Sequence, residues 1–285
     1  MYIAVISGKG GTGKTTVAVN LAYVASQHEP VYLVDLDAEE PNGHLFFRDR
    51  IEWQGEDVVY KKLPRIDMDI CTRCGKCQEA CQKGAIVVGK RTVMVFDNLC
   101  HGCMLCAYVC PEKGAIYEEK KPIGYVRWGK VSDTLDYYMG LMEIGELSAT
   151  PVVREAKHKV PGDRLIIADG APGASCPVVE AIDGADYVIL VTEPTPFGLH
   201  DLQVAYEIVS HLGLSAGVII NRYEENSPYE PLEEFLQKEN LPVLARIPFR
   251  REIAEVYSRG DILSEHLPEI KEIFEGVYQK VVKRP

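Results

Sequence analysis

The sequence predicts an α/β fold, a mostly parallel sheet covered by helices on both faces, with a small α+β unit inserted into it. Three observations predict this. Short β-branched apolar runs alternate with helical patterns, the texture of strands buried on both faces. A glycine-rich loop separates the first such strand from the first helix. Eight of the nine cysteines lie between residues 71 and 110.

From the N-terminus the chain reads strand (2–6), glycine loop (8–13), helix (14–27) and strand (31–35). Cysteines then dominate, with short apolar stretches around Val87 and Val93 separated by Gly89-Lys90-Arg91, a hairpin turn. After Ile123 the alternation resumes, with strands at 165–169, 187–192, 216–220 and 243–247 and helices near 198–212, 229–239, 250–259 and 268–283. Neither flanking part can complete a sheet alone. The expected organisation is therefore one discontinuous domain, 1–57 and 123–285, interrupted by an insertion at 58–122.

Composition narrows the function. The 285 residues are 46% hydrophobic and 26% charged, enough for a sizeable core. A formal charge of −11 argues against non-specific nucleic-acid binding, which needs Lys and Arg on phosphates. No apolar run approaches the roughly 20 residues that span a bilayer. Met1–Ile6 leads straight into the glycine loop without a basic region or cleavage site, so a cytoplasmic location is expected. Cysteines held reduced in that compartment, and clustered, point to a metal.

Gly8-Lys9-Gly10-Gly11-Thr12-Gly13-Lys14-Thr15 fits G-x-x-x-x-G-K-S/T. Glycines let the backbone wrap so that its N–H groups converge on anionic oxygens, and the helix starting near Lys14 adds its positive end. Lys14 is expected to reach the β- and γ-phosphates of ATP and Thr15 to offer its hydroxyl to magnesium. Thr16 extends the nucleotide-binding set.

The cysteines form an internal repeat. Cys71-x-x-Cys74-x-x-Cys77-x-x-x-Cys81 is followed by Gly84-Ala85-Ile86, and Cys100-x-x-Cys103-x-x-Cys106-x-x-x-Cys110 by Gly114-Ala115-Ile116. This run binds four-iron, four-sulfur clusters in bacterial ferredoxins, where the fourth cysteine ligates the other cluster. By that rule Cys71, Cys74, Cys77 and Cys110 hold one cluster, and Cys81, Cys100, Cys103 and Cys106 the other. Pro111 follows Cys110 as in that pattern, whereas Gln82 follows Cys81. Zinc is the competing metal, but zinc ribbons pair two widely separated C-x-x-C knuckles. His101 has no necessary ligand role beside eight cysteines.

A second lysine inside the loop, Lys9, resembles the deviant Walker-A ATPases, the group of MinD, ParA, Mrp and the nitrogenase iron protein. Asp35-Leu36-Asp37-Ala38-Glu39-Glu40-Pro41-Asn42 is similar to that group's first switch, and Ile166 to Gly173 to its Walker-B strand and second switch. Ile219-Ile220-Asn221-Arg222 and Ile247-Pro248-Phe249 resemble its adenine-contacting segments. Glu193-Pro194-Thr195-Pro196-Phe197-Gly198 and Gly173-Ala174-Ser175-Cys176-Pro177 resemble the branch of MinD-superfamily ATPases carrying an inserted two-cluster ferredoxin domain, and the likeness covers essentially the whole chain.

The resemblance implies ATP hydrolysis, slow without a partner, with Lys9, Lys14 and Asp37 catalytic and Asp37 positioning the attacking water. It implies that Asp169 holds magnesium through water, that Asn221 reads adenine and that Pro248 lies in the loop over the base. It further implies a nucleotide-dependent homodimer, or a heterodimer with a related ATPase, in which Lys9 crosses to the partner's nucleotide. Asp35 reads equally as a strand end and cap, and Asn221 also as a turn residue. Cys176, near the second switch, reads as a small half-buried residue or as a cluster-related thiol. The leading expectation is a nucleotide switch gating electron transfer through the clusters to a redox partner protein. The alternatives are a cluster-assembly carrier and a MinD- or ParA-like positioning protein.

Ile270, Ile273, Phe274, Val277, Tyr278, Val281 and Val282 form one stripe on the last helix, with Lys271, Lys280, Lys283 and Arg284 off it. The favoured reading is a face packed on the protein's own sheet, the alternative a membrane-binding helix. Glu39-Glu40 and Glu118-Glu119-Lys120-Lys121 read as solvated surface.

Overall fold

The computed structural model describes residues 1–283; Arg284 lies outside them. β1 (Tyr2–Ser7) leads through the glycine loop into α1 (Lys14–Ala25) and back to β2 (Val31–Asp35). The long β3 (Glu52–Ile66) carries the chain out to the cysteines, where α2 (Lys76–Ala80), the hairpin of β4 (Ile86–Val88) and β5 (Val93–Val95), and α3 (Leu105–Tyr108) follow. β6 (Ile116–Lys130) returns, succeeded by β7 (Leu135–Met142) and α4 (Thr150–Lys159). Strands and helices then alternate through β8 (Leu165–Pro172), α5 (Cys176–Ile182), β9 (Tyr187–Thr192), α6 (Pro196–His211), β10 (Ala216–Tyr223), α7 (Glu230–Lys238) and β11 (Val243–Pro248). Three helices, α8 (Arg251–Ser258), α9 (Leu263–His266) and α10 (Pro268–Val281), close the described chain.

Among the described residues, the larger sheet runs β11-β10-β9-β1-β8-β2-β7-β6-β3. It is parallel from β11 to β7, and the last two strands pair antiparallel. The period of two sorts its side chains. Ile3 and Val5 face a core shared with α1 and α10, while Ala4 and Ile6 face the core under α5 and α6. Tyr32 and Val34 meet Val152 and Val153 of α4 on that second side. α1 lies in the middle of its layer and buries Val17, Val19, Leu21 and Val24 on several sides, so it shows no polar face. In α10, Ile270, Phe274, Val277, Tyr278 and Val281 are buried in the first core, as the sequence stripe predicts. No described helix is long and apolar enough to cross a membrane.

The sheet does not stop where the sequence texture changes. Residues 58 and 122 fall inside β3 and β6, which pair from Glu52↔Lys130 to Ile66↔Ile116 and so carry the main sheet into the cysteine segment. This ribbon and its neighbour β7 have no counterpart among the strands expected from sequence.

Where β6 enters the core, Gly124 lies against β7 and α4; an added Cβ would sit 2.5 Å from the Leu141 carbonyl and 2.7 Å from Val152 Cγ2. Gly124→Ala is therefore expected to cost about 2 kcal/mol by overpacking. A lowered urea midpoint would show it; an unchanged one would mean that the ribbon root can yield without cost.

Candidate functional site

The parallel strands end on one edge of the sheet, and the connections leaving that edge build a cleft, the usual place for a ligand in an open α/β sheet. The glycine loop leaves β1 there. Gly11 and Gly13 have φ of 80° and 94°, a conformation that side chains resist, and Gly13 immediately precedes α1. The side chain of Asn221 lies where a Gly13 Cβ would go, and its amide donates to the Thr12 carbonyl at 2.7 Å. Gly8 is backed by the Asp201 backbone in the same way.

Lys14 lines the cleft with a side chain that is 6% exposed. It donates to Asp169 Oδ1 at 2.9 Å and to Asp37 Oδ2 at 3.3 Å. Burial alone would lower its pKa, but Asp169 and Asp37 more than reverse that and hold it above the ordinary lysine value. Asp35 and Asp169 are register partners on β2 and β8. Burial first, and the Asp169 charge second, push the Asp35 carboxyl up to about 7. Its Oδ2 accepts from Gly43 N–H at 2.8 Å and Tyr137 O–H at 3.1 Å, and its Oδ1 from Asp37 N–H at 3.1 Å. Asp35 thus shapes the turn that presents Asp37. Burial raises Asp37 too, with Lys14 opposing. Two buried oxygens, Thr12 Oγ1 and Asp169 Oδ2, lack a partner among the described residues.

The cleft has a volume of about 1040 Å³. Of the residues expected from sequence, Gly10, Gly11, Gly13, Lys14, Thr15 and Thr16 line it, together with Asp37, Asn221 and Pro248 across from them. Lys9 points elsewhere: it is partly exposed, 3.9 Å from Asp201 Oδ2. Sequence reasoning named Phe249 with the adenine-contacting segments but missed the rest of the rim. Phe249 and Tyr257 border the opening, as do Glu39 and Glu40, which are exposed yet belong to the cleft. It also missed a clamp, in which Arg222, itself at φ 54°, pairs with the nearly buried Glu193 at 2.6 Å and reaches the Gly11 carbonyl at 3.4 Å.

The two cysteine motifs have matching backbones. Arg73 and Gly75 flank Cys74 at positive φ, and Gly102 and Met104 flank Cys103 likewise. Arg73 N–H approaches Cys71 Sγ at 3.4 Å, Gly102 N–H approaches Cys100 Sγ at 3.4 Å, and Ala85 N–H approaches Cys81 Sγ at 3.3 Å. Such donors favour the thiolate form that ligates a metal. Cys77 and Cys106 are buried, whereas Cys74 and Cys103 are exposed. Cys71, Cys74 and Cys77 of the first motif and Cys110 of the second line one small cavity. Burial, with Cys71 and Cys110 adding to it, raises the Cys77 thiol. Burial, with Cys100 and Cys103 adding to it, takes Cys106 up to about 11. Among the described residues no group of three or more His, Cys, Asp or Glu converges as a site for a single metal ion. Cys176, exposed at the start of α5, is remote from this module in sequence and belongs to neither motif.

Lys14→Met would leave two carboxylates facing each other without their cation, and a loss of ~3 kcal/mol at neutral pH is expected for the nucleotide-free protein. Asp35, pushed up to about 7, and Asp37, also raised, favour folding at low pH and lose that contribution as pH rises through their folded values. The deficit should therefore shrink between pH 7.5 and pH 5 in urea titrations; a pH-independent deficit would contradict the arrangement.

Residues 3–263 match the family described as CobQ/CobB/MinD/ParA nucleotide binding domain. An uncharacterized protein of Methanocaldococcus jannaschii is 30% identical over 271 residues, covering 92% of this chain and 90% of its own. An uncharacterized ferredoxin of the same organism is 31% identical over 61 residues, 20% of this chain and 79% of its own. Among solved structures, the septum site-determining protein MinD of Pyrococcus horikoshii, complexed with Mg-ADP, is 22% identical and superposes with a TM-score of 0.56 over 98% of this chain and 95% of its own. The fold is MinD-like, and the chain belongs to the CobQ/CobB/MinD/ParA nucleotide-binding family.

Proposed function

We propose that the chain is an ATP-hydrolysing switch whose nucleotide state controls electron transfer through two four-iron, four-sulfur clusters to a partner protein. The observation that carries this reading is the buried Lys14, held by Asp37 and Asp169 beside the glycine loop, on a sheet that runs on into the cysteine motifs. In this reading residues 1–57 and 123–285 are the nucleotide-binding domain and 58–122 an inserted ferredoxin-type domain.

The chain's own groups divide the work. Loop N–H groups from Gly10 to Gly13 and the ammonium of Lys14 receive the phosphates, so Lys14 exchanges carboxylate partners for phosphate oxygens. That exchange frees Asp37 to orient a water for in-line attack. Thr15 and Asp169 are the residues that would hold magnesium, whose charge offsets that on the transferring phosphoryl group; the unpartnered Asp169 Oδ2 suits a hydrated cation. Asn221 and Pro248 border the adenine end of the cleft. Lys9, partly exposed beside Asp201, leaves that contact to serve a second protomer's nucleotide in a dimer.

The cysteines fit clusters better than a point ion. The repeated C-x-x-C-x-x-C-x-x-x-C spacing favours clusters over a single tetrahedral ion, and Cys71, Cys74, Cys77 and Cys110, the crossed set, line one cavity. The partial likeness to a ferredoxin supports the same assignment. Bound clusters would supply one-electron chemistry. A second reading, a MinD- or ParA-like positioning ATPase, is favoured by the likeness to the septum site-determining protein and would leave the module a partner-binding or structural role.

Purified without oxygen, the chain is expected to be brown with about eight irons, and a colourless zinc-loaded preparation would overturn the cluster assignment. The crossed pairing makes a sharper statement. Cys71→Ser with Cys110→Ser should remove about four irons, and Cys71→Ser with Cys81→Ser about eight; the reverse would assign each motif its own cluster. For the ATPase, Asp37→Asn should keep ATP binding while hydrolysis falls ~100-fold. Cluster potentials and electron-transfer rates identical with and without nucleotide would favour the positioning reading.

A further inference from the structure

The segment after β2 and the cysteine module meet in the loop between β7 and α4, residues 143–149. Ala38, next to Asp37, accepts a hydrogen bond from Met142 N–H at 2.7 Å, and Glu143 N–H donates to the Ile123 carbonyl of β6 at 2.9 Å. Three residues further on, Glu146 joins both strands of the ribbon. Its Oε2 meets Lys61 Nζ of β3 at 2.6 Å and its Oε1 meets Lys121 Nζ of β6 at 2.7 Å. Lys61 also donates to the Asp97 carbonyl at 3.2 Å. The Asp97 carboxylate is held by both Arg65 Nη atoms, at 2.6 and 2.9 Å, and its carbonyl accepts from Cys100 N–H at 3.3 Å.

This is not an ordinary surface ion pair. The Lys61 and Glu146 side chains are only 9% and 8% exposed. Burial pushes the Glu146 carboxyl up, and the hydrogen bonds from Lys121 and Lys61 more than offset it, leaving it below the usual carboxylate range. Lys121, which the sequence places in a solvated run, is committed to this contact. Exposed pairs contribute little, whereas breaking a buried one leaves uncompensated charge, so the three groups move together or not at all. The bistable element at the other end is Asp37, paired with Lys14 here and released when Lys14 turns to phosphate.

We propose, resting on the ATP-switch reading, that Glu146 is a positioning residue that transmits the state of Asp37 to the second cysteine motif through Lys61 and Asp97. The path is continuous: Asp37, Ala38, Met142, the 143–149 loop, Glu146, Lys61, Asp97, Cys100. Coupling carried this way needs physical contact between its ends, which the hydrogen bonds and ion pairs above supply, and a two-state element, which the ATP-switch reading assigns to Asp37.

Hydrogen–deuterium exchange on the full chain, purified anaerobically and mixed with magnesium and a non-hydrolysable ATP analogue, tests it. In the unmodified protein the analogue should slow exchange in the 8–15 loop and also change exchange at 97–103 by at least about fivefold, the lower end of ordinary allosteric coupling. In Glu146→Gln, and independently in Lys61→Met, protection of 8–15 should persist while the change at 97–103 disappears. Persistent protection of the loop also reports that each variant is folded. An unaltered response at 97–103 in both variants, or none in the unmodified protein despite a protected loop, would overturn the role of Glu146 alone. No protection of 8–15 in the unmodified protein would overturn the nucleotide reading and the coupling with it.

Discussion

Lys14 can be buried at the C-terminal edge of the sheet only because Asp37 and Asp169 meet its ammonium, and those carboxylates can be buried only because Lys14 is there. Desolvating any one of these charges alone would cost several kcal/mol. The arrangement is consequently all or nothing, and it constrains the chain around it. Asp169 must lie in β8 opposite Val5 of β1, Asp35 must support the turn bearing Asp37, and the glycine loop must bring the start of α1 over the strand ends. A site so charged is also primed for exchange, since an incoming anion can take the cation and a divalent ion the carboxylates.

The second constraint is continuity of the backbone ladder. Parallel pairing carries the sheet from β11 through β1 and β2 to β7, and the same hydrogen-bonded surface then turns antiparallel and extends as the β3–β6 ribbon to the cysteines. A module joined by a loose linker would sample many orientations. This one is tied at its root by Val59, Leu63, Ile123 and Val126, all buried, and midway by Glu146. Nucleotide site and cysteine module therefore share one sheet, which gives a local change at Asp37 a physical route outward.

Much of this was legible in the chain because the periodic elements are locally consistent. Tyr187–Thr192 is apolar on both faces, is buried throughout and forms a strand at the predicted residues. The glycine loop and the cysteine repeat declare themselves by spacing, and the matched left-handed positions at Arg73, Gly75, Gly102 and Met104 show how alike the two motifs are in backbone. The ribbon was not legible, because most of β3 is solvent-exposed and its charged residues obscure the alternation. β7 escaped notice because Asp136, Gly140 and two tyrosines dilute its apolar run; Tyr137 is buried to satisfy Asp35, a need that arises only once the strands are adjacent. Pairings such as Glu146 with Lys61 and Lys121, or Arg222 with Glu193, join residues that only the topology brings together. No periodicity encodes them.

The central claim is that the cleft is an anion site whose own carboxylates must be answered by a divalent cation. Calorimetric titration of ATP with and without magnesium, on the anaerobically purified chain, tests it directly. Tight binding with magnesium and at least ~10-fold weaker binding without it, a difference of about 1.4 kcal/mol, is the predicted result. Equal affinity in both conditions would contradict it, because Asp37 and Asp169 would then not be facing the bound phosphates.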